Sequence, residues 1–312
     1  MATLLTVFLL LLAGIWSPLR TARATTASEG QLVMGTVLEV QVKAESATMA
    51  RELALEAVGI ARHWDDVLST FRPDAELADL LRRRGSRTYV TPDLQYALAR
   101  MQTLAGATRG AFDPAFSSDL DCNNEEAKFS GKWFCAVEVG PRWAWVHPLA
   151  DIDPGAIGKG IAIDAILAAL PERGAREVFV NFGGSSFAVW HSQSEGHSGR
   201  RILIPSFEGT PLGTLDLRHG SLSTSESRPR DGARSIFDPR SGTPVTSPRL
   251  AAAWAADATS ADAWSTALVV LGRAGLPLAQ SHGIEAMIVD AEGLACTKHF
   301  PWAHNSEVQP PC

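Results

Sequence analysis

Basic charge, cysteine and local histidine motifs are scarce in this sequence, and each shortage argues against a class of protein. The formal net charge is −6, so no nucleic-acid partner is expected, because binding to a phosphate backbone needs a basic patch. None of the four cysteines has C-x-x-C spacing, which argues against a zinc site or thioredoxin chemistry. The eight histidines are scattered and give no local signature of a Ser/His/Asp triad. What remains is the composition of an ordinary globular protein, with 46% hydrophobic and 20% charged residues.

A cleaved signal peptide is predicted over residues 1–24. The apolar run TLLTVFLLLLAGIW is too short to span a membrane comfortably, and residues 22–24 (ARA) fit a cleavage site of the A-x-A type. Because no basic residue precedes the run, an uncleaved membrane anchor is the alternative. Cleavage predicts an exported, periplasmic protein, soluble or loosely membrane-associated. We expect residues 25–305 to form a single domain and residues 306–312 to form a flexible tail.

The cysteines permit two disulfides in an exported protein. Cys122 and Cys135 flank a short polar loop and are therefore the favoured pair. For Cys296, a free buried thiol is an equal alternative.

Apolar periodicity predicts an α+β protein. Residues 34–44 alternate like a half-buried strand, and apolar residues from Met49 to Phe71 recur at helical spacing. Two further helices are predicted, one ending at Gly85 and one with Pro92 at its first position. Later strand-like runs are REVFVNF, SFAVW, RRILIPS, GTLDLR, SLST and RSIF, followed by the helix TSADAWSTALVVLG and a hairpin of IEAMIVD with GLACTKH. These runs favour mixed or antiparallel sheets with packed helices.

The segment DPGAIGKG (153–160) combines glycines with one of only 5 lysines in the chain. Its spacing fits neither a Walker loop nor a dinucleotide-binding G-x-G-x-x-G motif. Glycines that open a helix still favour an anion, through free backbone N–H groups and the helix dipole. Lys159 would lie in the first helical turn, and Asp153 could accept hydrogen bonds from a base or ribose. The alternative is a glycine-rich turn with Asp153 as the N-cap of the helix.

Asp262 and Thr266 are predicted to lie four residues apart on one helix face. A carboxylate and a hydroxyl are hard oxygen ligands, which suit Mg²⁺ or Ca²⁺ and not Zn²⁺. The alternative is structural, since the segment from Thr259 to Asp262 also fits a helix-capping pattern.

Two short motifs each allow a structural and a functional interpretation. Phe112 and Asp113 precede Pro114 and form either a simple turn or an aromatic and acidic contact for a ring. Gly183 and Gly184 predict a tight hairpin, and they would also allow a ligand to approach the backbone closely.

Seven motifs stand in an order that resembles the periplasmic flavin transferase (ApbE) family. The resemblance covers about residues 30 to 300, nearly all of the predicted mature chain. The motifs are MGT (34–36), GAFDP (110–114), DPGAIGKGIAID (153–164), VNFGGS (180–185), STSES (223–227), IFDPRSGTPV (236–245) and SADAWSTALVVLG (260–272).

The resemblance implies a T-fold-like α+β architecture and an Mg²⁺-dependent FAD:protein FMN transferase. Such an enzyme moves FMN from FAD to a Ser or Thr of a membrane-associated or exported redox protein and releases AMP. By position, the metal ligands would be Asp262, Thr266 and the backbone carbonyl of Ala156. The implied FAD contacts are Met34, Ala111, Phe112, Asp113, Asp153, Lys159 and Ile236.

Two positions depart from the family pattern, and both concern the catalytic base. Ser235 stands where the family usually has a histidine, and a serine hydroxyl does not have a pKa near neutrality. Glu226 replaces a glycine, and its carboxylate is the candidate substitute base. Two alternative functions therefore stay open: an Mg²⁺-dependent FAD pyrophosphatase that gives FMN and AMP, and an exported flavin-binding protein without turnover.

Overall fold

The computed structural model describes residues 24–116, 131–192, 199–207, 211–228 and 236–303. Its helices are α1 (Ala47–Leu68), α2 (Glu76–Arg82), α3 (Pro92–Ala107), α4 (Trp133–Ala136), α5 (Gly158–Glu172), α6 (Ala258–Leu271) and α7 (Leu276–Ser281). Its strands are β1 (Thr25–Val33), β2 (Thr36–Ala44), β3 (Thr88–Tyr89), β4 (Ala115–Phe116), β5 (Val137–Gly140), β6 (Trp143–Val146), β7 (Asp151–Ile152), β8 (Glu177–Phe182), β9 (Ser186–His191), β10 (Arg200–Pro205), β11 (Pro211–Leu217), β12 (Gly220–Ser227), β13 (Phe237–Asp238), β14 (Thr243–Pro244), β15 (Arg249–Ala255), β16 (Glu285–Asp290) and β17 (Gly293–Cys296).

The main sheet has eight strands in the order β1-β2-β8-β9-β12-β15-β16-β17. Every neighbouring pair in it is antiparallel. Short antiparallel sheets of two or three strands join the remaining strands. The predicted α+β class, with antiparallel sheets and packed helices, is confirmed.

Alternation along the strands gives the main sheet two buried faces. On β15, Ala251 and Ala253 belong to the large core beneath α1, α5 and α6, whereas Leu250 and Ala252 belong to a second core. The β10–β11 hairpin covers that second core with residues such as Leu215. Neighbouring residues of one strand therefore pack into different cores, on opposite faces of the sheet.

Most predicted helices are present, and their first residues follow capping rules. Thr91 accepts a hydrogen bond from the Leu94 N–H at the start of α3, with Pro92 in the first turn as predicted. The helix predicted up to Phe71 ends earlier, at Leu68. Phe71 is 83% exposed, so that part of the prediction was wrong.

Several strands were not predicted from the sequence, because their residues do not alternate clearly between apolar and polar. β1 is largely polar (TTASEGQLV), and β15 is rich in alanine (RLAAAWA), a residue that does not favour strands. The sequence analysis assigns no element to the stretch just before residue 150, but this stretch contains β5 and β6. The hairpin predicted at Gly183–Gly184 is confirmed, and both glycines have positive φ angles.

Cys135 and Cys296 are both disulfide-bonded, so the free-thiol alternative for Cys296 is wrong. The predicted partner Cys122 and the predicted signal sequence up to Arg23 lie outside the described residues. Within the described part of the chain, no helix combines the length and apolar character needed to cross a membrane.

A close backbone contact between α5 and α6 shapes the site. A Cβ atom on Gly160 would lie 2.5 Å from the Ala258 carbonyl oxygen and 2.6 Å from the Thr259 Cα. Only glycine allows the two backbones to approach this closely.

We expect Gly160→Ala to lower the free energy of unfolding by about 1–3 kcal/mol, because the added methyl group must push the backbone of α6 away. Gly59→Ala is the matched control, since Gly59 lies inside α1 and an added Cβ there would meet no atom within 4 Å. That control should be neutral or stabilising by up to about 1 kcal/mol. Chemical denaturation measures both, and equal stabilities of the two variants would contradict the close contact.

Candidate functional site

A cavity of about 1250 Å³ opens beside the start of α5 and is bordered by α2, β12 and α6. Nine of the site residues named above line it: Ala111, Phe112, Asp113, Asp153, Ala156, Lys159, Ile236, Asp262 and Thr266. They come from four separate stretches of the chain, which the fold brings to one place.

The loop before α5 is held by its own aspartate. Asp153 accepts a hydrogen bond from the Gly155 N–H at 2.8 Å, two residues on. Helix α5 starts only at Gly158, and its N-cap is Ile157, which makes no side-chain capping bond. The N-cap alternative for Asp153 was therefore wrong, and Lys159 lies in the first turn as predicted.

The Asp262 carboxylate is buried between α5, α6 and the sheet. One oxygen accepts the Gly160 N–H at 3.2 Å. The other lies 3.4 Å from Lys159 Nζ and accepts the hydroxyls of Ser223 at 3.0 Å and Ser186 at 3.4 Å. The lysine side chain is 20% exposed and that of Asp262 only 4%. The carboxylate is thus surrounded by one backbone N–H, two hydroxyls and the ammonium group of Lys159.

Asp262 does not cap the helix that carries it. The N-cap of α6 is Asp257, which accepts the Ser260 N–H at 2.8 Å, and Asp262 lies in the second turn. The capping alternative was therefore wrong. One turn further on, the Thr266 hydroxyl lies 3.1 Å from Ser225 Oγ of β12.

Asp113 is a half-buried carboxyl group in the pocket wall. It accepts the N–H groups of Ala115 at 2.9 Å and Trp133 at 3.0 Å. Loss of hydration raises its pKa to about 7, and these backbone bonds together with the positive charge of Lys132 only partly oppose the rise. Asp113 therefore forms part of the turn before Pro114 and also lines the pocket.

Two site residues named from the sequence do not line the cavity. Met34 lies in the β1–β2 turn with φ of 49° and packs against the main core. Glu226 is exposed and is bound to Arg228, with a 3.0 Å contact between Oε2 and Nη2. On β12, Glu226 alternates with Ser225, which contacts α6, so the two side chains point to opposite faces. Ser235 lies outside the described residues.

Sequence reasoning missed an aromatic rim of the pocket, formed by Phe71, Phe116 and Phe237. These side chains are 83%, 53% and 54% exposed. Three exposed phenylalanines around one cavity are unusual, but they are recognisable only in the structure, because each one stands in a different part of the sequence. Ser225, which belongs to the motif STSES, also lines the pocket.

The oxygen-rich surroundings of Asp262 fit a hard divalent cation. Three residues that line the pocket carry suitable oxygen donors: the buried carboxylate of Asp262, the hydroxyl of Thr266 and the backbone carbonyl of Ala156. Magnesium accepts such a small set because water and substrate phosphates complete its coordination. Among the described residues no group of three His, Cys, Asp or Glu side chains is arranged to hold a metal ion.

Comparison with known proteins identifies the family. The model of the ApbE family matches residues 34–288, which is most of the chain. The chain belongs to the ApbE family. This match spans every lining residue named above, from Phe71 to Thr266.

Relatives of this ApbE-family chain include two proteins named FAD:protein FMN transferase. The one from Treponema pallidum (strain Nichols) is 28% identical over 91% of this chain and 90% of its own length. The one from Rhodobacter capsulatus is 27% identical over 86% of this chain, which spans 56% of that longer protein.

Solved structures of the family share the fold. The flavinyl transferase ApbE of Pseudomonas stutzeri superposes with a TM-score of 0.73 at 22% identity, covering 89% of this chain and 96% of that one. The ApbE protein of Thermotoga maritima gives 0.74 at 21% identity, covering 88% and 98%. At such identities these structures establish the architecture and not the chemistry.

The raised pKa of Asp113 predicts an unusual dependence of stability on pH. Below about pH 4 its carboxyl group is protonated in both the folded and the unfolded chain. As the pH rises towards 7, the unfolded chain releases this proton first, so the folded state loses stability. We expect the stability of the wild type relative to Asp113→Asn to fall between pH 4 and 8, by at most about 4 kcal/mol.

Asp290→Asn is the control of opposite sign. The Arg273 guanidinium holds the pKa of Asp290 below its usual value, so the stabilising effect of Asp290 is complete above about pH 4 and is lost in acid. Relative to this variant, wild-type stability should stay constant between pH 5 and 8. Urea denaturation across the pH range measures both series, and a pH-independent difference for Asp113→Asn would contradict the raised pKa.

Proposed function

We propose that this ApbE-family chain is an FAD:protein FMN transferase that binds FAD in the pocket. It would pass the FMN half of FAD to a Ser or Thr hydroxyl of a partner protein and release AMP. The observation that carries this proposal is the buried Asp262 carboxylate beside Lys159 and the glycine-rich start of α5, inside a cavity of about 1250 Å³. The names of the relatives support the same activity.

The start of α5 suits the pyrophosphate group of FAD. The positive end of its dipole favours an anion, and Lys159 adds a positive charge in the first turn. Asp153 holds the preceding loop through Gly155 and leaves its own carboxylate exposed for a polar contact with the nucleotide.

Asp262, Thr266 and the Ala156 carbonyl would hold Mg²⁺ beside that group. When bound, the ion would neutralise negative charge on the pyrophosphate oxygens. The protein contribution is to keep the carboxylate fixed: Gly160 and Ser223 donate to different oxygens of Asp262, so it is already oriented before the substrate arrives.

The aromatic rim suits the planar rings of FAD. Phe71, Phe116 and Phe237 expose apolar faces at one cavity, where a flavin or adenine ring could stack on them. Burial of such a ring removes apolar area from water on both partners. The rim therefore supports a dinucleotide over a small phosphate ester.

Transfer requires one bond exchange at phosphorus. The acceptor oxygen forms a bond to the FMN phosphorus, the bond from that phosphorus to the AMP oxygen breaks, and AMP leaves with the electron pair. The acceptor proton passes to a base. The position of Glu226, paired with Arg228 on the far face of β12, does not support its role as that base.

The protein would act after export. The predicted signal peptide supports a periplasmic location, and an acceptor there would be a membrane-associated or exported redox protein. A pyrophosphatase, which transfers FMN to water, is the second candidate, because Ser235 stands where the family usually has a histidine.

Incubation with FAD, Mg²⁺ and a candidate acceptor, followed by mass analysis, tests the proposal. An acceptor heavier by one FMN residue on a Ser or Thr, together with free AMP, is the expected result. Free FMN and AMP without a modified acceptor would support the pyrophosphatase instead. Intact FAD would contradict both enzymes.

We expect Asp262→Asn to reduce Mg²⁺-dependent FAD cleavage by about 100-fold or more, because the variant removes the buried carboxylate charge of the proposed metal site. Asp290→Asn, which breaks an ion pair away from the pocket, should keep the wild-type rate. Product chromatography at several Mg²⁺ concentrations measures both. An Asp262→Asn protein with unchanged Mg²⁺ dependence would rule out this ligand.

Paired variants test the base. We expect Glu226→Gln to transfer FMN within about twofold of the wild type, since loss of a true general base costs at least about 100-fold. We expect Ser235→His to accelerate transfer, because an imidazole can accept the acceptor proton near neutral pH. A large loss in Glu226→Gln with no gain in Ser235→His would assign the base to Glu226 after all.

A further inference from the structure

Asp164, on α5, binds the first turn of α6. One carboxylate oxygen accepts the Ala258 N–H at 2.7 Å, and the other accepts the Thr259 N–H at 2.9 Å together with the Thr259 hydroxyl. These N–H groups have no partner within their own helix, because a helix leaves its first N–H groups free. A carboxylate at this end also opposes the positive pole of the helix dipole.

A second acidic residue also binds the first turn of α6. Asp257 caps α6 by accepting the Ser260 N–H at 2.8 Å, and Arg100 of α3 binds the same carboxylate at 3.0 Å. Arg100 also donates to the Ser260 hydroxyl at 3.2 Å. The first three N–H groups of α6 are therefore all accepted by side chains, and the turn is tied to two other helices.

The position of this turn controls the position of Asp262. Asp164 stands four residues after Gly160, so both lie on the same face of α5. Gly160 admits the α6 backbone at Ala258, and its own N–H reaches the Asp262 carboxylate at 3.2 Å. Because a helix moves as a rigid rod, a slide or rotation at the start of α6 would carry Asp262 and Thr266 with it.

We propose that Asp164 is a positioning residue for the divalent cation. Its hydrogen bonds go to Ala258 and Thr259 and not to the two proposed ligands, so it acts through the backbone of α6, whose register it sets against α5. This inference rests on the proposed function, since Asp262 and Thr266 are there the Mg²⁺ ligands.

Asp164→Asn is the direct test. The amide keeps the size of the side chain but presents a donor where the Ala258 N–H or the Thr259 groups need an acceptor. We expect the affinity for Mn²⁺, a paramagnetic substitute for Mg²⁺, to fall about 10–100-fold in an electron paramagnetic resonance titration, as is typical when a group that orients a metal ligand is lost. The metal-free protein is used, so that FAD turnover does not enter the measurement.

The chain provides a matched control at another helix. Glu76 accepts the N–H of Thr91 at 2.7 Å and its hydroxyl at 2.6 Å, at the start of α3. Glu76→Gln removes the same kind of carboxylate from the same kind of helix start. We expect it to lower the unfolding temperature as Asp164→Asn does, with Mn²⁺ affinity within about twofold of the wild type. If Asp164 had a purely structural role, Asp164→Asn and Glu76→Gln would change the affinity for Mn²⁺ to the same extent.

Two milder variants cover the case in which Asp164→Asn does not fold. Thr259→Val removes one hydroxyl donor to Asp164 and should weaken Mn²⁺ binding several-fold, whereas Thr259→Ser keeps the hydroxyl and should bind as the wild type does. Wild-type Mn²⁺ affinity in Asp164→Asn, or in Thr259→Val, would overturn the inference.

The result is separable from the test of the proposed function. A wild-type protein that binds Mn²⁺ without transferring FMN would contradict the transferase and leave the role of Asp164 standing. Normal FMN transfer by the wild type, together with unchanged Mn²⁺ affinity in Asp164→Asn, would contradict the role of Asp164 and leave the transferase standing.

Discussion

The close approach of α5 to α6 at Gly160 is the constraint on which the site depends. Without a side chain at this position, the Ala258 backbone lies against α5 and the Asp262 carboxylate reaches the Gly160 N–H at 3.2 Å. The same approach places Lys159 beside that carboxylate. A lysine from the first turn of α5 and a buried carboxylate of α6, about a hundred residues apart in sequence, thereby meet in one small volume.

The main sheet contributes polar side chains to this volume, because the side chains of a strand point alternately to its two faces. On β12, Ser223 and Ser225 face α6 and surround Asp262 and Thr266 with hydroxyl groups. Leu222 faces the opposite core, and Glu226 lies on that side as well. Hydroxyls are small hydrogen-bond donors. They satisfy the oxygens of a buried carboxylate without placing another charged group beside it. The polar sequence of β12 thus contains two rows of side chains, one that faces the site and one that faces away from it.

Much of the site was predictable, because its residues stand in local motifs. The first-turn position of Lys159 and the helical spacing of Asp262 and Thr266 follow from patterns a few residues long, and the structure confirms both placements. The tie between Asp164 and Thr259 joins residues 95 positions apart, and no local pattern reveals it. Strands β1 and β15 were missed because polar or alanine-rich strands are recognised by their neighbours in a sheet, which periodicity does not report.

The charges of the pocket explain why the proposed function would need a cation there. Four basic side chains, Arg82, Arg84, Lys132 and Lys159, share the lining with five aspartates: Asp113, Asp151, Asp153, Asp238 and Asp262. Several of these charges already neutralise each other, since Lys159 lies beside Asp262, and Arg84 pairs with Asp151. A diphosphate entering such a lining gains little from the protein charges alone. The proposed divalent cation would change that balance, and the orientation of the buried Asp262 carboxylate would then be the property that the fold must control.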